Sequence, residues 1–189
     1  MNTEYLDEIF SGTLPGHVTF EGNTFENCTF NQVDLKGVSL EKCRLISCKF
    51  IECDLSNVQI SNSRIREISF ERCKLMGIQW IRAAEMVHAS FHECNLNYSN
   101  FSGMKLKKSL LKDCTFLDAD FSQADLSECD FRNSNFLDAR FHNTLLLKSD
   151  FRGALNYLID PLSNQVRGAR FSLPEAQGLL AGLGVKIEN

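Results

Sequence analysis

Large apolar residues recur at every fifth position along most of the chain. The series starts at Phe20, reaches Trp80 without an exception, shifts by one residue, and continues from Phe91 to Phe151. A period of five matches neither an α-helix, with 3.6 residues per turn, nor a β-strand, with a period of two. Fixed internal periods are typical of repeat arrays. The pattern therefore predicts one continuous repeat architecture rather than a domain of ordinary amphipathic elements.

Small residues occupy the position two before each large one in most repeats. All 8 cysteines of the chain fall in this position. A zinc site or a disulfide framework would predict paired cysteines such as CxxC, and the sequence has none. The cysteines are therefore interpreted as small buried core residues, with a reactive thiol as the alternative. They are Cys28, Cys43, Cys48, Cys53, Cys73, Cys94, Cys114 and Cys129.

The segment ADFSQADLSECDFRNSNFLDARF at 119–141 resembles the pentapeptide-repeat family, whose motif is A(D/N)LXX. The resemblance covers about residues 18–155. It implies an all-β fold, a right-handed quadrilateral β-helix in which four pentapeptides form one square coil and residues twenty apart stack. The column Phe30, Phe50 and Phe70 supports this spacing, because identical residues favour stacking at a strand separation of about 4.8 Å.

The sequence divides into five segments: an N-terminal cap at 1–17, a first repeat segment at 18–80, a register break at 81–90, a second repeat segment at 91–155 and a C-terminal capping or dimerisation segment at 156–189. In the last segment, Ser172 precedes Leu173 and Pro174, which is typical of a helix start with proline in the first turn. Apolar residues then follow with helical spacing as far as Gly184, a natural stop. We therefore predict a short C-terminal α-helix.

The register break at 81–90 has two interpretations. One is a bulge of one residue, which leaves the wall of the coil continuous. The other is a small projecting loop that contacts a partner, since loops on rigid scaffolds often carry binding residues. The candidate residues for such a loop are Arg82, Glu85, Met86 and His88.

Charge is unevenly distributed around the predicted coil. Folding the chain with a period of twenty places an acidic face over Leu96, Phe116 and Phe136, whereas lysines gather over Leu106 and Leu126. The acidic face is either a solvated surface or, as we prefer, a mimic of a polyanion, since its acids recur at a fixed rise, as phosphates do along a duplex. Its candidate partner-binding residues are Glu93, Asp113, Asp118, Asp120 and Asp138.

Two further segments resemble the topoisomerase-protecting subgroup of the family, which includes the albicidin-resistance, microcin B17 immunity and quinolone-resistance proteins. They are RCKLMGIQW at 72–80 and RGARFSLPEAQGLLAGLGVKI at 167–187. This resemblance implies a DNA mimic that binds DNA gyrase, and possibly topoisomerase IV, and protects it from poisons. It also implies a homodimer joined through the C-terminal segment, with contacts from Phe171, Leu173, Leu179, Leu180, Leu183, Val185 and Ile187. The alternative is a scaffold or adaptor with another partner.

Other function classes are disfavoured by the sequence. The formal net charge of −4 argues against direct nucleic-acid binding. No GxGxxG, P-loop, HExxH or GxSxG motif occurs, so we expect neither enzymatic activity nor a cofactor or metal. No stretch approaches 18 apolar residues and the acidic N-terminal sequence lacks a signal-peptide core, so we expect a cytoplasmic protein without a membrane span.

Overall fold

The computed structural model describes residues 2–12 and 20–185, and the chain folds there as a right-handed quadrilateral β-helix followed by one short α-helix. Strands of three residues pair in parallel with strands about twenty residues away, as in the register Phe30↔Phe50. The predicted fold class is thus confirmed. The strands are β1 (Glu4–Leu6), β2 (Ile9–Ser11), β3 (Thr24–Glu26), β4 (Thr29–Asn31), β5 (Arg44–Ile46), β6 (Lys49–Ile51), β7 (Arg64–Arg66), β8 (Ser69–Glu71), β9 (Glu85–Val87), β10 (Ser90–His92) and β11 (Leu110–Lys112).

Each coil contributes one pentapeptide to each of four walls. Wall A lies over the core column that starts at Phe25, wall B over the column from Phe30, wall C over the column from Leu35 and wall D over the column from Phe20. Strands occur on walls A and B, in the orders β1-β3-β5-β7-β9 and β2-β4-β6-β8-β10-β11. Elsewhere single-residue parallel bridges continue the coil as far as Asp150↔Arg170.

Stacked aromatic rings fill the interior of the rod. Phe30 and Phe50 lie with ring centroids 4.5 Å apart and planes 2° apart. Phe101 and Phe121 repeat the arrangement at 5.1 Å and 3°. A side chain placed every twenty residues meets its equivalent one strand spacing away, so flat rings stack without a gap. Because each coil contains four five-residue repeats, the core consists of four such columns.

The cysteines line the core beside these columns. All 8 are buried and none is in a disulfide, which confirms their interpretation as core residues. The Sγ of Cys48 lies 3.4 Å from the carbonyl oxygens of Phe25 and Ile46. Burial raises the pKa of Cys43 and Cys48 to about 11 and that of Cys129 to about 12. These thiols are therefore protonated at neutral pH, and a protonated thiol is a poor nucleophile.

The corners of the square require a left-handed backbone conformation. Asp118 and Asp138 have φ values of 53° and 58°, and the equivalent residue of nearly every repeat is similar. Asn, Asp and Gly adopt this conformation most readily. Most corner N–H groups still find a partner, as in the bond from the Asp118 N–H to the Leu137 carbonyl oxygen at 3.0 Å. The corner side chains consequently point outward from a fixed backbone.

The coil register extends past both ends of the repeat series that begins at Phe20. Tyr5 stacks on Phe25 at 4.9 Å and Phe10 on Phe30 at 4.6 Å, so residues 4–11 of the predicted N-terminal cap add one more strand each to walls A and B. At the other end, Phe171 stacks on Phe151 at 5.3 Å. The segment boundary at 17 lies outside the described residues, and the boundary at 155 stays a prediction.

The C-terminal helix is confirmed but begins later than predicted. It spans Gln177–Gly182, whereas residues 173–176 form turns. The residue before a proline is rarely helical, and this keeps Leu173 out of the helix. The predicted start at Ser172 was therefore wrong. Within the described residues, no helix is long and apolar enough to cross a bilayer.

The register break is a bulge with a one-turn 3-10 helix, Trp80–Arg82. The N–H groups of Ala84 and Glu85 both approach the carbonyl oxygen of Ser63, at 2.9 and 3.4 Å, so two residues oppose one on the preceding coil. Strand β9 then resumes pairing with β7. The chain therefore stays in the wall of the coil here, as in the first of the two interpretations.

Candidate partner-binding surface

Two carboxylates of the acidic face lie in register on wall C, at its corner with wall D. Asp118 and Asp138 are flanked by the bridges Thr115↔Asn135 and Asp120↔Arg140, so they occupy equivalent places on adjacent coils. Both side chains are exposed. Neither forms an ion pair with any residue in the ranges 2–12 and 20–185. Like charges one strand apart repel each other, so this pair lowers the stability of the folded state.

The other three predicted acids have partners. Asp113 accepts a hydrogen bond from Asn133 at 2.9 Å and pairs with Lys112 at 3.0 Å, and these contacts lower the pKa of its carboxyl group. Glu93 lies 3.8 Å from the His92 ring. Asp120 pairs with Arg140 at 3.5 Å and accepts the Ser122 N–H at 2.9 Å. The uncompensated negative charge of the face therefore lies on Asp118, Asp138 and Glu93, because the His92 ring is a counterion for Glu93 only when it is protonated.

Apolar side chains border the exposed acid pair. Leu137 adjoins Asp138 and is 46% exposed, and Leu155 bridges to Asn135 one coil earlier and is 45% exposed. Leu158 is 75% exposed. The sequence signal for this feature was a leucine where most repeats have a polar outward residue, and it was missed. A partner of this surface would meet apolar as well as acidic groups.

The lysine-rich wall A is partly neutralised by its own acids. Glu128 pairs with Lys107 at 3.1 Å and with Lys108 at 3.8 Å, which lowers the pKa of the Glu128 carboxyl group. In the second half of the coil, these lysines and the exposed acid pair lie on opposite walls, because walls A and C are separated by two corners of the square. A binding role for either wall stays a prediction.

The chain matches two family models that together run through most of the coil. The model of the pentapeptide repeat region matches residues 23–101, and the model of pentapeptide repeats in nine copies matches residues 101–145. The chain belongs to the pentapeptide-repeat family. No curated protein matches it at the significance required.

Solved structures of another pentapeptide-repeat protein share the fold along its whole length. Full-length QnrB1, a plasmid-mediated fluoroquinolone resistance protein, is 19% identical, with 96% of this chain and 100% of that chain covered and a TM-score of 0.62. A trypsin-treated R167E form of QnrB1 is 21% identical over 99% and 98% of the two chains, with a TM-score of 0.67. At this identity the likeness establishes the fold.

The four candidate residues at the break do not form one outward surface on the pentapeptide-repeat coil. Met86 is buried, and Glu85 accepts a bidentate hydrogen bond from Arg66 at 2.8 to 3.0 Å. Arg82 and His88 are exposed, the first at the end of the 3-10 helix and the second at a corner. A partner-binding role for these residues stays a prediction.

The candidate dimer contacts of this pentapeptide-repeat protein separate into two groups. Phe171 and Leu179 are half-buried against the core of their own rod. Among the rest, Leu173 is 76% exposed. Ile187 lies outside the described residues. The exposed group consists of Leu173, Leu180, Leu183 and Val185.

No group of three or more His, Cys, Asp or Glu side chains in the described ranges is arranged to hold a metal ion.

Proposed function

We propose that this pentapeptide-repeat protein mimics DNA, binds DNA gyrase at the surface that normally holds DNA, and thereby protects the enzyme from topoisomerase poisons. The observation that carries the proposal is the exposed, unpaired and in-register pair Asp118 and Asp138 on a straight, regular wall. Two stacked carboxylates without counterions are stabilised by a basic partner, whereas paired surface acids gain little from one. Topoisomerase IV is a second candidate partner of the same chemistry.

The mechanism is occupancy rather than catalysis. Arginine and lysine side chains that contact DNA phosphates form charge-assisted hydrogen bonds equally well with carboxylates. A gyrase molecule that holds the rod cannot hold the cleaved DNA complex that a poison traps, so the poison loses its target. The protein needs no cofactor for this and has no substrate. The fold shared with a fluoroquinolone resistance protein over 96% of this chain and 100% of that chain supports the same assignment.

A supercoiling assay tests the proposal. Purified gyrase, relaxed plasmid and a fluoroquinolone are incubated with increasing amounts of the protein, and cleaved and supercoiled plasmid are measured. We expect cleaved plasmid to fall as the protein is added. A scaffold with another partner would leave the amounts of cleaved and supercoiled plasmid unchanged, and that result would contradict the proposal. Tolerance of an expressing bacterium to albicidin, microcin B17 and a fluoroquinolone then identifies which poison is countered.

We further propose that the rod is a homodimer joined by its exposed C-terminal leucines. The double variant Leu180→Glu with Leu183→Glu is expected to weaken dimerisation at least about 100-fold, because unpaired carboxylates in an apolar interface cost several kcal/mol. Light scattering after size exclusion measures the mass. The matched control is Leu6→Glu with Ile9→Glu, since both residues are exposed at the opposite end of the rod. A dimer that survives the C-terminal changes and dissociates with the N-terminal ones would contradict this interface.

A further inference from the structure

The hydrogen-bond ladder of wall A is interrupted at one place, directly below the bulge. Between later coils, Leu106 and Lys108 donate to the carbonyl oxygens of Asp125 and Ser127 at 2.9 Å each. The equivalent donors one coil earlier are the N–H groups of Met86 and His88. In the described part of the chain neither of these donates to the next coil, and β9 is the last strand of its sheet. The extra residue of the bulge has separated the two coils on this wall.

The separation leaves a cleft of about 390 Å³ in the side of the rod. Its apolar lining includes Ile81 and Ala84 of the bulge, Met86 of β9 and Met104 of the following coil. Apolar clefts of this size with a few polar groups are typical of small-molecule sites. Two thioethers in one cleft favour flat aromatic ligands, because methionine adapts its shape and its sulfur makes favourable contacts with rings.

The polar groups at the cleft favour a negatively charged acceptor. Lys105 lines the cleft, is exposed, and forms no ion pair with any residue that the structure describes. The unpaired backbone N–H groups of Met86 and His88 belong to the same interrupted ladder. Glu85 also lines the cleft, but its carboxylate is held by Arg66 at 2.8 Å, so its charge is compensated. Of the two charged residues that line the cleft, Glu85 is therefore compensated and Lys105 is not.

A peptide strand cannot be the occupant. Insertion of a strand between two coils would move them apart by about 4.8 Å. The same two coils are joined on the other walls by the pairing of β10 with β11 and by the bridges Asn95↔Thr115 and Asn100↔Asp120. These bonds fix the spacing of the coils. The occupant must therefore fit the cleft as it stands.

We propose that this cleft binds a small aromatic anion, with its ring system between Met86 and Met104 and its carboxylate or sulfonate near Lys105. The site is independent of the acid pair, because Lys105 lies on wall A and Asp118 on wall C.

Methionine-methyl NMR with anilinonaphthalene sulfonate as the probe tests the site directly. The full-length protein is labelled at its methionine methyl groups and titrated with the probe. We expect saturable shifts of the Met86 and Met104 signals and a constant Met76 signal, because Met76 lies on wall C and provides an internal control. Shifts at Met76 alone, or no saturable shift at either cleft methionine, would overturn the proposal.

Matched lysine variants test the charge requirement. Lys105→Gln is expected to weaken probe binding at the cleft methionines by about two- to fivefold, the range of a partly exposed ion pair. Lys107→Gln is the control, since Lys107 is on the same wall but pairs with Glu128. Ala84→Phe, which places a ring in the cleft, is expected to abolish the saturable shifts while the Met76 signal reports an intact fold. Equal effects of the two lysine variants, or unchanged binding in Ala84→Phe, would contradict the site.

Discussion

Reversal of both charges of the exposed pair, Asp118→Lys with Asp138→Lys, is expected to weaken gyrase binding by at least about 100-fold. The variant places two ammonium groups against the arginines and lysines that hold DNA, and like-charge contacts across an interface cost several kcal/mol. Surface plasmon resonance with immobilised gyrase measures the affinity. Loss of protection in the supercoiling assay should follow in parallel.

The variant should leave the fold unchanged, because the corner conformation already accepts lysine. Lys42, Lys108 and Lys148 have φ values of 56°, 65° and 59° at equivalent corners. The matched control is Glu26→Lys with Glu67→Lys, which changes the net charge equally on wall A. We expect this control to bind gyrase nearly as well as the unchanged protein. Equal losses in both variants would mean that net charge, and not the wall C pair, determines binding.

Truncation of one stacked ring, Phe121→Ala, is expected to lower the free energy of unfolding by about 3–5 kcal/mol. The Phe121 ring is fully buried and stacks between Phe101 at 5.1 Å and Phe141 at 5.3 Å. The loss is large beside a typical total of about 5–15 kcal/mol. The neighbouring coils cannot collapse into the cavity, because the backbone ladder fixes their spacing.

Phe121→Leu is the control for this change. Leu40 occupies the same column in an earlier coil, so leucine fits the wall, and a cost of about 1–2 kcal/mol is expected. Urea unfolding measures the free energy of unfolding of both variants. An unchanged slope of this free energy against urea concentration indicates that the folded and unfolded states keep their compactness. A loss below about 1 kcal/mol for Phe121→Ala would contradict the stacked core.

The fold could be predicted from the sequence because a large apolar residue recurs at every fifth position. The ends could not. Tyr5 and Phe10 are in phase with Phe20, but Pro15 occupies the position between Phe10 and Phe20. The series of large apolar residues is therefore interrupted there in the sequence. At the other end, Tyr157 is out of phase before Phe171 returns to its column. Only pairing between coils shows that these residues belong to the rod.

For the candidate surface, the sequence predicts which residues stack in one column. It does not predict which ion pairs and hydrogen bonds their side chains form. A period of twenty places Asp118 and Asp138 together because their corner is rigid. It cannot show that Asp113 is neutralised by Lys112, since that depends on the conformation of two flexible side chains. The cleft below β9 was also missed. Its only trace in the sequence is a shift of one residue, which does not reveal on which wall the ladder opens.

The central claim is that the rod and DNA compete for one site on gyrase, and a displacement titration tests it most directly. Gyrase is saturated with a fluorescent duplex, the protein is added, and the anisotropy of the duplex is followed. We predict that the duplex is released completely and that more protein is needed as the duplex concentration rises. A stable complex that contains gyrase, the duplex and this protein together would contradict the account.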